Sequence, residues 1–287
     1  MTQRIAVAGA SGILGQELIR LLHQQNYWVR SILRDSDKRA RVEPYSNEVW
    51  LADVCHPEEI TGCFRDIDIV ITTVGKSVSI FTHESADFWN IDYQANVNLL
   101  REAQRAGVKH FMYVSIFGSE ISPKLRQGWT QEMFSQKLME SGISYAIIKP
   151  VGIFSGLHDL VIMGQKGVLL TPGDGSPKTN PIHQQDLARF CVEHLAETNV
   201  VLEVGGPEIH SRQEVADLVC RMTQCRFSLK VPVPFARLGT KLIRLFNRNL
   251  YDKLSFFTYI TTHDMVAPQF GHHRFEDYLQ QLLDEEI

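Results

Sequence analysis

A chain of 287 residues, 44% hydrophobic and 22% charged, can bury a sizeable core and is too balanced in composition for a disordered or membrane-embedded chain. Its formal net charge of -4 argues against nucleic acid as the main partner. The five cysteines (Cys55, Cys63, Cys191, Cys220, Cys225) are odd in number and form no C-x-x-C pair, so they read as reduced packing residues and not as a redox or zinc site. No cationic leader with an apolar run opens the sequence, because Arg4 leads straight into a strand, and runs such as Ile67–Val74 are far too short to span a bilayer. The expectation is a cytoplasmic protein.

Arg4–Ala8 is β-branched and apolar enough for a buried strand, and Ile13–Leu22 carries apolar residues at helical spacing. Further strands are predicted at Tyr27–Leu33, Glu48–Leu51, Ile67–Val74, His110–Val114 and Ser144–Lys149. Helices are predicted at about Ser36–Val42, Pro57–Phe64, Trp89–Ala106 and Trp129–Glu140, with Gly107 as a left-handed terminator. Buried strands alternating with helices mean a parallel sheet covered on both faces, an α/β doubly wound fold of six strands over residues 1–150. Beyond Pro150 glycines and prolines cluster from Gly164 to Pro181, which reads as long loops over a pocket. Gln184–Leu195 then reads as a helix, Val200–Val204 as a strand, and Ser211–Met222 as a helix with Ser211 as N-cap and Glu214 three residues on. Residues 151–287 are thus expected to complete the sheet and form a small substrate-side portion.

The turn between the first strand and helix reads Gly9-Ala10-Ser11-Gly12-Ile13-Leu14-Gly15. Glycine at 9 permits a tight turn, glycine at 12 removes a Cβ from the path of a pyrophosphate, and glycine at 15 lets helix and strand pack closely. Free N–H groups at the helix start then face phosphate charge, so the segment is expected to bind a dinucleotide. An acidic residue ending the second strand would hold the ribose hydroxyls of NAD; here Arg34 stands there, followed by Lys38 and Arg39, and arginine pairs with a 2′-phosphate. NADP is therefore expected in preference to NAD, although Asp35 and Asp37 partly offset the basic charge.

The Gly-x-x-Gly-x-x-Gly spacing resembles that of the extended and atypical short-chain dehydrogenases/reductases. Ala52-Asp53-Val54 resembles the family's adenine-contacting pair, and Thr73-Val74-Gly75 the strand end beside the adenosine ribose. Tyr113-Val114-Ser115 is similar to its serine strand, and Ser141–Pro150 to the "SGL-x-YTI-x-RP" segment of the NmrA-like branch. Asn180-Pro181-Ile182-His183, Asp186-Leu187-Ala188 and Val204–Glu208 resemble its substrate-side half. The resemblance implies a Rossmann domain and cofactor contacts from Gly9, Ser11, Gly12, Ile13, Leu14, Gly15, Arg34, Lys38, Asp53, Val54, Thr73, Val74, Gly75, Ser115, Lys149, Pro150, Val151 and Ile153.

The sequence departs from the family at the chemistry. Hydride-transferring members carry Tyr-x-x-x-Lys on the helix after the serine strand, the phenol as acid/base. Family spacing puts Gln127 and Gln131 there, and no tyrosine occurs between Tyr113 and Tyr145. Ser115 and Lys137 remain as catalytic candidates, with Lys124 a further cation near them. Two readings stay open: a reductase of a small carbonyl or activated alkene, and a non-catalytic NADP(H)-binding sensor or assembly factor with a protein partner. A sugar-nucleotide epimerase or dehydratase ranks last, since it too needs the tyrosine.

The eleven histidines, His83, His110, His158 and His183 among them, show no H-x-x-x-H or H-E-x-x-H pair, and no metal is expected; His183 reads as structural before pocket-facing. Phe235–Phe257 mixes Arg237, Lys241, Arg244, Arg248 and Lys253 with leucines and phenylalanines. Packing on its own domain or capping a pocket is preferred there, with contact to an anionic membrane the weaker alternative.

Overall fold

The computed structural model describes residues 2–82, 86–120 and 125–285; His83 and Lys124 lie outside the described residues. In chain order the elements are β1 (Arg4–Ala8), α1 (Ile13–Gln24), β2 (Trp28–Leu33), α2 (Arg39–Val42), β3 (Glu48–Leu51), β4 (Ile69–Thr72), α3 (Asn96–Ala106), β5 (His110–Val114), α4 (Arg126–Met139) and β6 (Ser144–Pro150). There follow α5 (His158–Gln165), β7 (Val168–Pro172), β8 (Lys178–Thr179), α6 (Gln184–Glu193), β9 (Val200–Val204), β10 (His210–Ser211), α7 (Arg212–Thr223), β11 (Phe227–Val231), α8 (Val233–Ile243), α9 (Arg248–Thr262) and α10 (Phe275–Glu285).

The main sheet runs β3-β2-β1-β4-β5-β6-β9, so the expected six strands gain a seventh. Pairings from β3 through β6 are parallel. The order reverses between β1 and β4, and a doubly wound sheet opens its ligand crevice at the carboxyl ends of the strands on either side of that switch. The core explains the strand positions: Ile5, Ala6, Val7 and Ala8 of β1 are fully buried, as are Val70 and Ile71 of β4.

The chain divides into two compact units: Met1–Lys76, Ala86–Lys149 and Gln184–Glu203 form the first, and Ser77–Ser85, Pro150–His183 and Val204–Ile287 the second. The expected boundary at residue 150 coincides with one crossing, but α6 and most of β9 return to the first unit, where α6 packs on α1 and β9 joins β6. Leu18, Ile19 and Leu22 give α1 its buried face. The second unit has its own core, built from Phe154, Leu160, Leu169, Val215, Val219 and Phe275.

Several local expectations are corrected. Residues 57–64 form successive turns, not a helix: Ile60, Cys63 and Phe64 are buried at helical spacing, but Gly62 takes φ +83° and the bonds close three residues back, as from Cys63 N–H to Ile60 O. Trp89–Ala95 is wound as a π-helix before α3 begins. The glycine-rich stretch after Gly164 holds β7, which pairs in parallel with β11, because Leu169 and Thr171 alternate inward. Phe235–Phe257 is broken into α8 and α9, the second capped by Asn247, whose Oδ1 accepts from Leu250 N–H. Cys220 and Cys225 are joined as a disulfide beside the end of α7, so these two are not the reduced residues expected. The capping box of α7 is present in full, Ser211 and Glu214 each holding the other's backbone N–H.

Candidate functional site

The glycine turn sits at the switch point. Gly9 has φ +79°, a conformation that disfavours any side chain, and a Cβ there would meet Thr73 Oγ1 at 2.7 Å, so the turn lies hard against the end of β4. Thr73 is held in place by bonding β1: its N–H donates to Ala8 O at 3.0 Å and its hydroxyl to the same oxygen at 3.2 Å. A Cβ on Gly15 would run into the Gly9 carbonyl, which ties the first turn of α1 to the loop. The first i to i−4 bond of α1 runs from Gln16 N–H to Gly12 O, leaving the N–H groups of Ile13, Leu14 and Gly15 outside the helical ladder. Those donors and the positive helix end suit a pyrophosphate, with no side chain at residue 12 to block it. Ile13 is half exposed at this end, as a residue covered by a ligand would be. Ser11 contributes its carbonyl to the loop, accepting from Gln16 Nε2 at 3.0 Å.

At the end of β2 the exposed Arg34 lies with Nη1 3.8 Å from Asp53 Oδ2, and Lys38 has Nζ 3.7 Å from Asp35. Asp53 Oδ1 accepts from Cys55 N–H, while the Val54 carbonyl accepts from Asn98 Nδ2 at 3.1 Å. Past β4, the Val74 carbonyl accepts from Asn96 Nδ2 at 3.1 Å, and Thr72 Oγ1 donates to Asn96 Oδ1 at 2.8 Å. Gly75 stands against the fully buried Asp92, and Lys76 N–H donates to Asp92 Oδ2 at 3.2 Å. The residues from Arg34 to Gly75 that the sequence singled out thus lie along the ends of β2, β3 and β4.

Where the Tyr-x-x-x-Lys pair of the resembled family would stand, α4 presents two buried glutamines. Ser115 Oγ donates to Gln131 Oε1 at 3.3 Å, and Gln131 Nε2 donates to Asp92 Oδ1 at 2.9 Å. Gln127 Oε1 is buried and has no hydrogen-bond partner. Tyr113 does hydrogen-bond Ser115, but it is packed in the core against Phe134, and burial, with the charge of Asp92 adding and the Ser115 bond opposing, pushes its pKa well above the ordinary value. Lys137 is not brought to this cluster, since it lies in the last turn of α4, about 9 Å along the axis from Gln131.

Lys149 is buried at the end of β6, with Nζ 2.7 Å from Glu120 Oε2 and 3.2 Å from Glu132 Oε2. Burial alone would lower its pKa, but the two carboxylates outweigh this and raise it; Glu120, which burial alone would raise, is held below its usual value by the ammonium. Pro150, Val151 and Ile153 belong to the second unit, where Val151 N–H donates to Val204 O at 3.0 Å and Ile153 bridges to Ile182. His183 is also a packing residue there, edge-on to Phe154 and stacked on His273 at 4.2 Å.

Sequence reasoning missed Asp92, Asn96, Glu120 and Glu132, all of which hold these segments in place. For Asp92 and Asn96 the signal was available: polar side chains on the apolar face of the helix predicted over Trp89–Ala106 need a buried partner.

A model of the NAD(P)H-binding family matches residues 9–198. The photosystem II assembly factor Ycf39 of Synechocystis sp. is 27% identical over 264 residues, 88% of this chain and 78% of that protein. An NAD(P)H azoreductase of Xenophilus azovorans is 27% identical over 221 residues, 74% of this chain and 71% of that protein. Among solved structures, the NADPH-dependent quinone oxidoreductase QOR2 of Escherichia coli, complexed with NADPH, superposes with a TM-score of 0.75 at 17% identity, covering 97% of this chain and 99% of that one.

Proposed function

The chain belongs to the NAD(P)H-binding family, on the atypical branch of the short-chain dehydrogenases/reductases, and on that premise we propose that it binds NADP(H) and reduces an electron-poor acceptor, a small carbonyl or activated alkene, without a protein proton donor. The observation that carries this reading is the closed chain Ser115–Gln131–Asp92. The serine hydroxyl donates its hydrogen bond to the amide oxygen and the amide donates one to the carboxylate, so neither glutamine acts as the phenol would, and the phenol of Tyr113 is sealed in the core. The nicotinamide supplies the hydride when bound. The protein orients: the α1 N-terminus holds the pyrophosphate, and Gln127 Oε1 offers a buried acceptor for an N–H or O–H of a bound molecule. Such chemistry suits acceptors, quinones among them, whose reduced anion is stable enough to take its proton from water.

Preference for NADP rests on Arg34, with Lys38 and Arg39 behind it, at the position where an acidic residue would bind the ribose of NAD. Two observations favour a second reading, a regulatory or assembly factor that binds NADP(H) without turnover. The proton-donating pair is replaced, and the assembly factor from Synechocystis is similar along 88% of the chain.

Paired fluorescence titration with NADPH and NADH, followed by NADPH oxidation against quinones, aldehydes, enones and azo dyes, separates these readings. Tight NADPH binding with turnover is the expected result. Tight binding with no oxidation on any acceptor replaces the reductase with the regulatory reading, and no binding of either nucleotide overturns both.

A further inference from the structure

The second unit holds a partly open pocket of about 320 Å³, at the small end of ligand sites. Its wall is apolar: Leu160, Met163, Val215, Phe235, Ile243 and Phe257 are among its lining residues. Three charged side chains reach it, and two are engaged locally. Asp159 accepts from Ser79 Oγ at 2.6 Å and Ile80 N–H at 2.8 Å, and Lys253 donates to the carbonyls of Ser79 and Thr82. The third, Arg212, is only 7% exposed, and its Nε is buried with no hydrogen-bond partner. Thr171 Oγ1, on the same wall, is also buried and unpartnered. A guanidinium in apolar surroundings costs several kcal/mol unless an anion meets it. Here burial pulls its pKa down to about 10, with the Asp264 carboxylate offsetting this in part.

We propose that this cavity binds an apolar carboxylic acid, its carboxylate on Arg212 and its hydrocarbon body against the surrounding wall. A buried charge with free donors selects a monoanion over a neutral molecule of the same shape, because the neutral one leaves the guanidinium unpaired. All lining residues belong to the second unit, so the inference stands apart from the NADP(H) reading. The test is calorimetric titration of the full chain with octanoate and with octan-1-ol, alongside NADPH. Octanoate is expected to bind at one site at least tenfold more tightly than the alcohol. Arg212→Met is expected to remove that difference and Ala216→Phe to abolish octanoate binding, with NADPH affinity unchanged in both. Equal affinity of acid and alcohol in the unaltered protein, no octanoate binding, or octanoate binding that survives Ala216→Phe overturns the proposal. The acid-to-alcohol ratio needs no variant to fold.

The outside of this unit carries a separate signal. On α8 and the turn after it, Leu238, Leu242, Leu245 and Phe246 stand in solvent, the last two 76% and 90% exposed, next to Phe235 at the rim of the pocket. Arg237, Lys241, Arg244 and Arg248 are exposed among them, and no Asp or Glu occurs between Asp217 and Asp252 in a chain whose net charge is -4. Among the described residues no helix is long and apolar enough to cross a membrane. The geometry points to an anionic bilayer surface as the occupant, the cations meeting headgroups and the phenylalanines and leucines reaching the acyl boundary. Vesicle flotation tests this: strong binding is expected to 30% phosphatidylglycerol, little to pure phosphatidylcholine, and a loss of at least tenfold in the double variant Leu245→Glu, Phe246→Glu. Equal binding to both vesicles, no binding to either, or an unaffected double variant overturns it, as does self-association that the double variant removes while vesicles go unbound.

Discussion

Lys149 in the first unit and Arg212 in the second are cations buried to the same degree, each 7% exposed, and they are treated in opposite ways. Lys149 is met by two carboxylates within 3.2 Å, and its charged form is favoured. Arg212 is met by no hydrogen-bond partner at Nε, and its charged form is disfavoured. The difference teaches where each unit finds its complement. The first closes Lys149 on its own carboxylates and leaves free Gln127 Oε1 and the backbone donors at the start of α1. The second leaves a side-chain cation and a hydroxyl free inside a cavity, and large apolar side chains free outside.

The largest effect is expected from stripping Lys149 of its partners. Glu120→Gln with Glu132→Gln leaves the ammonium buried and uncompensated, and chemical denaturation is expected to show a loss of about 3–5 kcal/mol. The same triad gives a pH signature. Glu120 titrates below its usual value when folded, so its contribution is complete above the ordinary carboxylate pKa and disappears as pH falls through the lowered one; Lys149 is raised, so its contribution holds until pH climbs past the ordinary lysine value. Stability from the triad should be flat through neutrality, and the double variant should lose the triad's share of the acid limb, leaving that of Asp68 and Glu208.

Next in size is the nucleotide end of the first unit. If Arg34 pairs with a 2′-phosphate as proposed, Arg34→Ala removes a charge-assisted contact for which about 1.5–3 kcal/mol is typical, so NADPH affinity is expected to fall roughly 10- to 100-fold with NADH unaffected. Equal losses for the two nucleotides would remove the NADP preference. In the second unit the sign reverses: Arg212→Met is expected to raise ligand-free stability by on the order of 1 kcal/mol, since it removes a buried charge that Asp264 offsets only in part. A destabilised Arg212→Met would mean that Asp264 holds the guanidinium better than its hydrogen bonding suggests. The smallest effect is local, with Ser211→Ala losing the α7 cap for about 1 kcal/mol in thermal unfolding.

What was legible in the sequence was what the chain repeats locally. Strands β1, β3 and β5 coincide with their expected spans, and β2 and β6 fall within a residue of theirs, because a parallel strand writes a short apolar run and its turn residues on either side. Residues 57–64 deceived because Ile60, Cys63 and Phe64 have the spacing of a helix face, while Gly62 in a left-handed conformation turns the chain out of one. The site was half legible for a related reason. The glycine turn is a local pattern, whereas Gln131 meets Asp92 across 39 residues and Lys149 meets Glu120 across 29, pairings that no local window holds. Arg212 reads in sequence as an ordinary first residue of a capped helix; only the wall around it marks it out.

The return of residues 184–203 to the first unit bears on how the protein can be made. During synthesis β6 is complete some fifty residues before β9 can cover its edge, and α1 waits about three times as long for α6. Until then the nascent Rossmann sheet shows an open edge and an uncovered apolar face, the two features by which chains associate wrongly. A fragment ending at residue 150 would keep both faults permanently and should come out of cells as aggregate. The point at which this nucleotide-binding unit can mature is therefore set not by the glycine turn at its start but by the arrival of Val200.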